Sequence, residues 1–181
     1  MNLKKFALLA FVATPILAMA QTWMDLTDEY ITNPSFENGN MGWKFNSNAS
    51  SQAVNFQTME FWNGTFNIYQ ENNVPNGKYR IHVQAYYRTG NNGTAYQEYT
   101  NGTENITAYL YANESKVKIA SVYSASLTED VGGCWNAGNW RNPKYFPDGM
   151  SAAAIFFDRG YYENTLEFEV TDNHLKFGLI N

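Results

Sequence analysis

The 181-residue chain has one cysteine, two histidines and five prolines, and its 12 basic residues are outnumbered by 17 acidic ones. A lone Cys134 excludes an internal disulfide, so stability must come from a core, from a bound ion, or from both. His82 and His174 form no H-x-H or H-E-x-x-H arrangement, which removes the common zinc signatures. There is no Lys/Arg cluster and the net charge is −5. The electrostatic footprint of a nucleic-acid or anionic-membrane partner is therefore absent.

Apolar runs are scarce too. The one long run, residues 6–18, follows the basic start Met1-Asn2-Leu3-Lys4-Lys5 and ends near the small-residue tripeptide Ala18-Met19-Ala20. A basic start, a short apolar stretch and an A-x-A-like site predict a secretory signal peptide over residues 1–20. The run falls short of the roughly 20 residues a spanning helix requires, and Pro15 suits a cleaved leader better than an anchor. No cysteine stands at the cleavage point, which argues against a lipoprotein. Export to the periplasm or cell surface is the expectation, with no transmembrane segment left after cleavage. Loss of Lys4 and Lys5 leaves residues 21–181 with a net charge of −7, enough chain for one domain with its own core.

What the mature part does have is alternation. In Tyr79-Arg80-Ile81-His82-Val83-Gln84-Ala85-Tyr86-Tyr87-Arg88 the odd positions are apolar or aromatic and the even ones mostly polar, as a strand with one buried face requires. Pro75-Asn76-Gly77 supplies the turn before it. Further strands are predicted at 42–45, 53–57, 66–70, 107–112, 116–121, 166–171 and 175–180, separated by Asn, Gly, Ser and Asp. Short strands between turn signals predict an all-β protein, an antiparallel β-sandwich or jelly roll. A short helix is compatible with 151–156. Two long loops are predicted, 89–105 and 124–149, and long loops in a compact domain are usually functional or disordered.

Some of these segments carry a family resemblance. Ile31-Thr32-Asn33-Pro34-Ser35-Phe36-Glu37, followed by Gly42-Trp43, resembles the opening of galactose-binding-like jelly rolls, the fold of many carbohydrate-binding modules. Gly77-Lys78-Tyr79-Arg80, Ala85-Tyr86-Tyr87-Arg88, Tyr109-Leu110-Tyr111-Ala112-Asn113, Pro147-Asp148-Gly149-Met150, Gly160-Tyr161-Tyr162-Glu163-Asn164 and Leu175-Lys176-Phe177-Gly178 are similar to modules in secreted proteins of gut Bacteroides-type bacteria. The resemblance implies a galactose-binding-like fold and leaves the ligand open, because this architecture serves many ligands and some members only connect domains. Such modules carry one more strand after the Leu-Lys-Phe-Gly segment. This chain stops at Asn181, so the expectation is a sandwich lacking its C-terminal strand, in a piece of a longer protein with neighbouring domains, since native proteins usually cover an open edge.

Sugar rings stack their C–H faces on Trp and Tyr, while Asn, Gln, Asp and Arg bond the hydroxyls. Trp62, Trp135, Trp140, Tyr96, Tyr99 and Tyr145 fall in predicted loops or at strand ends among Asn and Gly, and are the candidate ligand contacts. The competing reading is that large aromatics simply build the core, which is preferred for Trp43, Tyr79, Tyr87 and Phe168. The resemblance further implies a structural Ca²⁺ near the opening motif, with Glu37 as carboxylate ligand and Asn33 or Asn38 adding oxygens. The alternative is a turn in which Glu37 is merely solvated.

Catalysis has less to stand on. A glycosidase requires two acids held about 5–9 Å apart across a cleft, and Glu60, Glu98, Glu104, Asp130, Asp148 and Asp158 show no spacing that singles out a pair. Cys134, in Gly132-Gly133-Cys134-Trp135, reads as a lone thiol rather than a nucleophile. Asn-x-Ser/Thr triplets at Asn48, Asn63, Asn92, Asn101, Asn105 and Asn113 mark exposed, Asn-rich loops. The expectation is a non-catalytic glycan-binding module whose partner is a polysaccharide. A structural or protein-interaction module is the first alternative, and a glycoside hydrolase or lyase the second.

Overall fold

A computed structural model describes residues 22–181 in full and the backbone of residues 2–11. In chain order the strands are β1 (Asn2–Phe11), β2 (Trp23–Asp25), β3 (Lys44–Ser47), β4 (Ser51–Asn55), β5 (Thr58–Trp62), β6 (Phe66–Asn73), β7 (Gly77–Tyr87), β8 (Tyr109–Ala112), β9 (Ser115–Lys118), β10 (Ala120–Ser121), β11 (Cys134–Asn136), β12 (Tyr145–Pro147), β13 (Glu163–Val170) and β14 (His174–Ile180). Helices α1 (Thr27–Tyr30), α2 (Asn92–Thr100) and α3 (Met150–Asp158) lie between them.

Two sheets form the expected β-sandwich. One runs β4-β5-β1-β7-β13, with β2 also on β1 and the two-residue β10 alongside the end of β7. The other runs β3-β6-β14-β8-β9. Apart from β10, each of these pairings is antiparallel.

Alternation places the core. In β13 the exposed residues Glu163, Thr165, Glu167 and Glu169 alternate with buried Asn164, Leu166, Phe168 and Val170. In β7, Tyr79, Ile81, Val83 and Ala85 are buried as their spacing predicts. They face Ile68, Leu110, Phe177 and Leu179 of the opposite sheet in one continuous core. That core also holds Phe36 and Trp43, stacked at 5.3 Å, so the core reading of Trp43, Tyr79 and Phe168 is what the fold displays.

The end of β7 departs from simple alternation, since Tyr86 is buried on the outer face. There it joins a second cluster with Tyr123, Phe146, Phe156, Phe157 and Tyr162. Helix α3 supplies the two phenylalanines and also buries Ala152 and Ala153, lying over the outer face of the first sheet against β1 and β5. One buried amide ties β7, β10 and β13 together within the first sheet. Asn164 donates from Nδ2 to the carbonyls of Ala85 and Tyr162, both at 2.8 Å, and accepts from the Ala120 amide at 2.7 Å.

Several features differ from the sequence-based expectation, among them the short β2 and α1, which were not expected, and the expected strand 116–121, which is divided between β9 and β10. Segment 89–105 is not all loop but contains α2. It has no apolar stripe, Ala95 being its one buried residue. Tertiary contacts hold it instead, through Tyr96 against Tyr123 and Trp135. Segment 124–149 contains the β11–β12 hairpin. Strand β5 was missed because Thr-Met-Glu-Phe-Trp does not alternate cleanly, and both Thr58 and Met59 are buried. Finally, the segment expected to be a leader does not lie wholly outside the fold. Residues 2–11 form β1, between β5 and β7, because an extended apolar segment can satisfy both flanking strands there. The predicted cleavage point at Ala20 lies outside the described residues.

Candidate functional site

Strands β5 and β7, on either side of β1, end at the same end of their sheet, where there is an open cleft of about 400 Å³. Trp62, the last residue of β5, is 51% exposed on its wall. The turn after it is tightly made. Asn63 is in the left-handed region (φ 54°), and a Cβ on Gly64 would stand 2.5 Å from the Ala49 backbone. Asn48 Oδ1 accepts from the Thr65 amide at 2.7 Å and from its hydroxyl at 2.9 Å. The indole is thus presented by a braced turn rather than by a loose loop.

Across from it stands Arg88, just past the end of β7, with its guanidinium carbon 5.5 Å from the Trp62 ring centroid. That side chain is 14% exposed and donates to Asp148 and to Asn92 Oδ1. Asn92 Nδ2 donates to the same Asp148 oxygen at 3.0 Å. The Tyr123 hydroxyl donates to the Asn92 carbonyl at 3.0 Å. Burial pushes the Tyr123 phenol up to about 12, so it is a neutral donor at ordinary pH. A charged pair is thereby fixed beside a half-exposed indole. Asn91 and Asn181 complete the rim with amides, and Asn181 Nδ2 donates to the Gly64 carbonyl at 3.2 Å.

The other aromatic candidates go elsewhere. Tyr96, Trp135 and Tyr145 pack around the second core. Trp135 lies 5.6 Å from Tyr96, 6.0 Å from Tyr123 and 6.2 Å from Phe146. Tyr99 is 37% exposed with its ring 5.9 Å from Tyr123. Trp140 is 83% exposed at the tip of the β11–β12 hairpin, with the Arg141 guanidinium carbon 4.7 Å from its ring. The six candidates are therefore divided among the cleft wall, a packed cluster and exposed positions. The sequence names Arg88 only within the Ala85-Tyr86-Tyr87-Arg88 segment and Asn92 only as an Asn-x-Ser/Thr triplet, and neither of them, nor Asn91 or Asn181, is among the expected ligand contacts.

The implied calcium ligands occupy a loop that largely closes itself. Asn33 (φ 53°) donates from Nδ2 to the carbonyls of Gly39 and Met41 at 2.9 and 3.2 Å, and its Oδ1 accepts from the Asn38 amide at 3.1 Å. Its own carbonyl accepts from Trp43 Nε1 at 3.0 Å. With the Asn33 oxygens turned to protein donors, Glu37 is the one carboxylate among the three candidates. Ca²⁺ takes six to eight oxygens, so these residues as arranged fit a self-braced turn better than a calcium cage. Among the described residues no group of three His, Cys, Asp or Glu side chains could hold a metal ion.

Cys134 is half-buried and free, and burial pushes its thiol up, which disfavours the nucleophilic thiolate. His82 Nδ1 lies 2.8 Å from Glu163 and 2.9 Å from Thr165 Oγ1 on the outer face of the sheet, away from Cys134. Two of the scattered acids, Glu60 and Asp148, both line the cleft. Among the described residues no helix is long and apolar enough to cross a membrane. No family model matches the chain, and no curated protein or solved structure matches it significantly.

Proposed function

We propose that the domain is a non-catalytic glycan-binding module, exported by its leader to the periplasm or cell surface, which holds a polysaccharide in the cleft between Trp62 and Arg88. The observation that carries this reading is the pairing of a half-exposed indole with a pre-fixed Arg88–Asp148 pair in one open cleft. An indole face stacks on the C–H face of a sugar. The guanidinium, carboxylate and amides at the rim bond hydroxyls at fixed positions. Such groups need no movement on binding, which keeps the ordering cost low.

Glycan-array or affinity-gel measurements test the proposal. Trp62→Ala is expected to weaken retardation by at least about tenfold, the equivalent of about 1.4 kcal/mol, with an unchanged melting temperature. A folded domain that is retarded by no plant, host or microbial polysaccharide sinks it. In that case a structural or interaction role beside neighbouring domains takes its place.

A second reading has one specific observation in its favour, the presence of Glu60 and Asp148 in the same cleft. It makes the protein a glycoside hydrolase. Against it, the Asp148 Oδ1 atom is already engaged by Arg88 and Asn92, and a general acid or base must be free to reach the proton it transfers. Release of reducing sugar by the purified protein, abolished in Glu60→Gln, distinguishes the two.

A further inference from the structure

Among the described residues, the lining of the Trp62 cleft holds three charged side chains, the carboxylates of Glu60 and Asp148 and the guanidinium of Arg88. The cation is already committed. Arg88 donates through a single nitrogen, Nη1, to both Asp148 and Asn92. A charge drawn this far out of water is stabilised by the carboxylate beside it and is costly without one. Within the pair the carboxylate is the more open member, with the Asp148 side chain 39% exposed against 14% for Arg88. A sugar entering the cleft therefore meets a carboxylate more readily than a cation. A carboxylate accepts from neutral hydroxyls, and the amides of Asn91 and Asn181 at the rim both donate and accept. A uronate or a sulfate ester instead brings an anion beside Asp148, and like charges brought together at a binding surface disfavour that partner.

We propose that the cleft takes an uncharged stretch of polysaccharide and rejects uronate-bearing or sulfated ones, and that Asp148 is the residue that sets this selectivity. The proposal rests on the glycan reading of the same cleft and names the substrate class within it. Asp148 acts in two ways. It places an anion in the lining, and it neutralises Arg88, whose planar guanidinium is otherwise suited to receive a carboxylate or sulfate in a bidentate grip. Asp148→Asn keeps an oxygen acceptor for Arg88 and Asn92 in the same place, yet removes the anion and leaves the charge of Arg88 unbalanced. Glu60→Gln removes the other lining carboxylate, from the β5 side, and leaves the Arg88–Asp148 pair in place. Its effect on selectivity is therefore in the same direction and smaller.

The test runs the full chain in affinity gels holding one of three forms of a single polymer. These are the neutral polysaccharide that retards it most, the same polymer oxidised at C6 to the polyuronate, and the methyl ester of that polyuronate. The neutral polymer and the ester are expected to bind, and the polyuronate at least about tenfold more weakly at low ionic strength, with a gap that shrinks as salt is added. Asp148→Asn is expected to narrow the ratio of neutral to uronate affinity by at least about fivefold and Glu60→Gln by about threefold, whatever becomes of the neutral affinity itself. Glu169→Gln, on the exposed outer face of β13, removes the same unit of net charge away from the cleft and should leave the ratio unmoved. Where Asp148→Asn lowers the melting temperature, Glu60→Gln carries the test. A polyuronate bound as tightly as the neutral polymer overturns the proposal and leaves the glycan reading standing. So does an ester rejected along with the polyuronate, since shape and not charge then decides. A ratio that neither cleft variant moves, or that Glu169→Gln moves as much, overturns it as well. Retardation by no polysaccharide at all sinks the glycan reading, and this selectivity with it.

Discussion

The guanidinium carbon of Arg88 lies 5.5 Å from the ring centroid of Trp62, although 26 residues of chain separate them. The two sit at the ends of different strands and meet because β5 and β7 terminate at the same end of one sheet. Arg88 is held from behind by Asp148 and Asn92, so the cation is directed at the indole whether or not a ligand is present.

The two tryptophans of the 124–149 segment should behave in opposite ways. Trp135→Ala removes a ring packed against Tyr96, Tyr123 and Phe146 and is expected to cost about 2–3 kcal/mol, below the range for a fully buried tryptophan. Trp140→Ala removes a ring that is 83% exposed and should leave stability within about 0.5 kcal/mol. Urea denaturation of the two variants measures both.

Acid should weaken the second sheet at one identifiable point. Glu71 bridges Lys44 of β3 and Lys176 of β14, with N–O distances of 3.1 and 3.3 Å. The Lys44 and then the Lys176 hydrogen bonds lower its carboxyl below the usual 4.5. A depressed carboxyl contributes stability that is present above 4.5 and is lost as pH falls through the lower folded value. Glu71→Gln should therefore flatten the pH dependence of the melting temperature below about pH 4.5, and the difference should shrink with added salt because the bridge is exposed.

The Asn33 turn distinguishes a self-braced loop from a calcium site. Asn33→Ala leaves the Gly39 and Met41 carbonyls and the Asn38 amide without their partner, and should destabilise by about 1–3 kcal/mol. The loss is expected to be the same in calcium and in chelator. A melting temperature that rises with calcium in the parent and not in Glu37→Gln would restore the ion.

The strands with one buried face were legible because burial has a period of two. Positions 79–85 and 163–170 can be assigned to inner and outer faces by inspection. β5 escaped because both neighbours of its first pair are covered, and a strand covered on both faces has no period to read. α2 escaped for a related reason, since its polar sequence is kept helical by Tyr96 contacts made to residues 27 and more positions away. The six candidate aromatics could be picked out by type and setting, but not sorted. A half-exposed Trp62 and a packed Trp135 sit in equally Asn- and Gly-rich surroundings.

Composition and period by themselves determined that this chain has no internal disulfide, no cluster of Lys and Arg, an apolar leader-like start and a core built from alternating strands. These properties are local, or sum over the chain regardless of how it folds. Only the tertiary structure decided that Trp62 faces Arg88, that Asn33 spends its oxygens on its own loop, and that residues 2–11 lie between β5 and β7. Each depends on which strand ends fall together and on which backbone groups lack a nearer partner, and neither is written in any one segment.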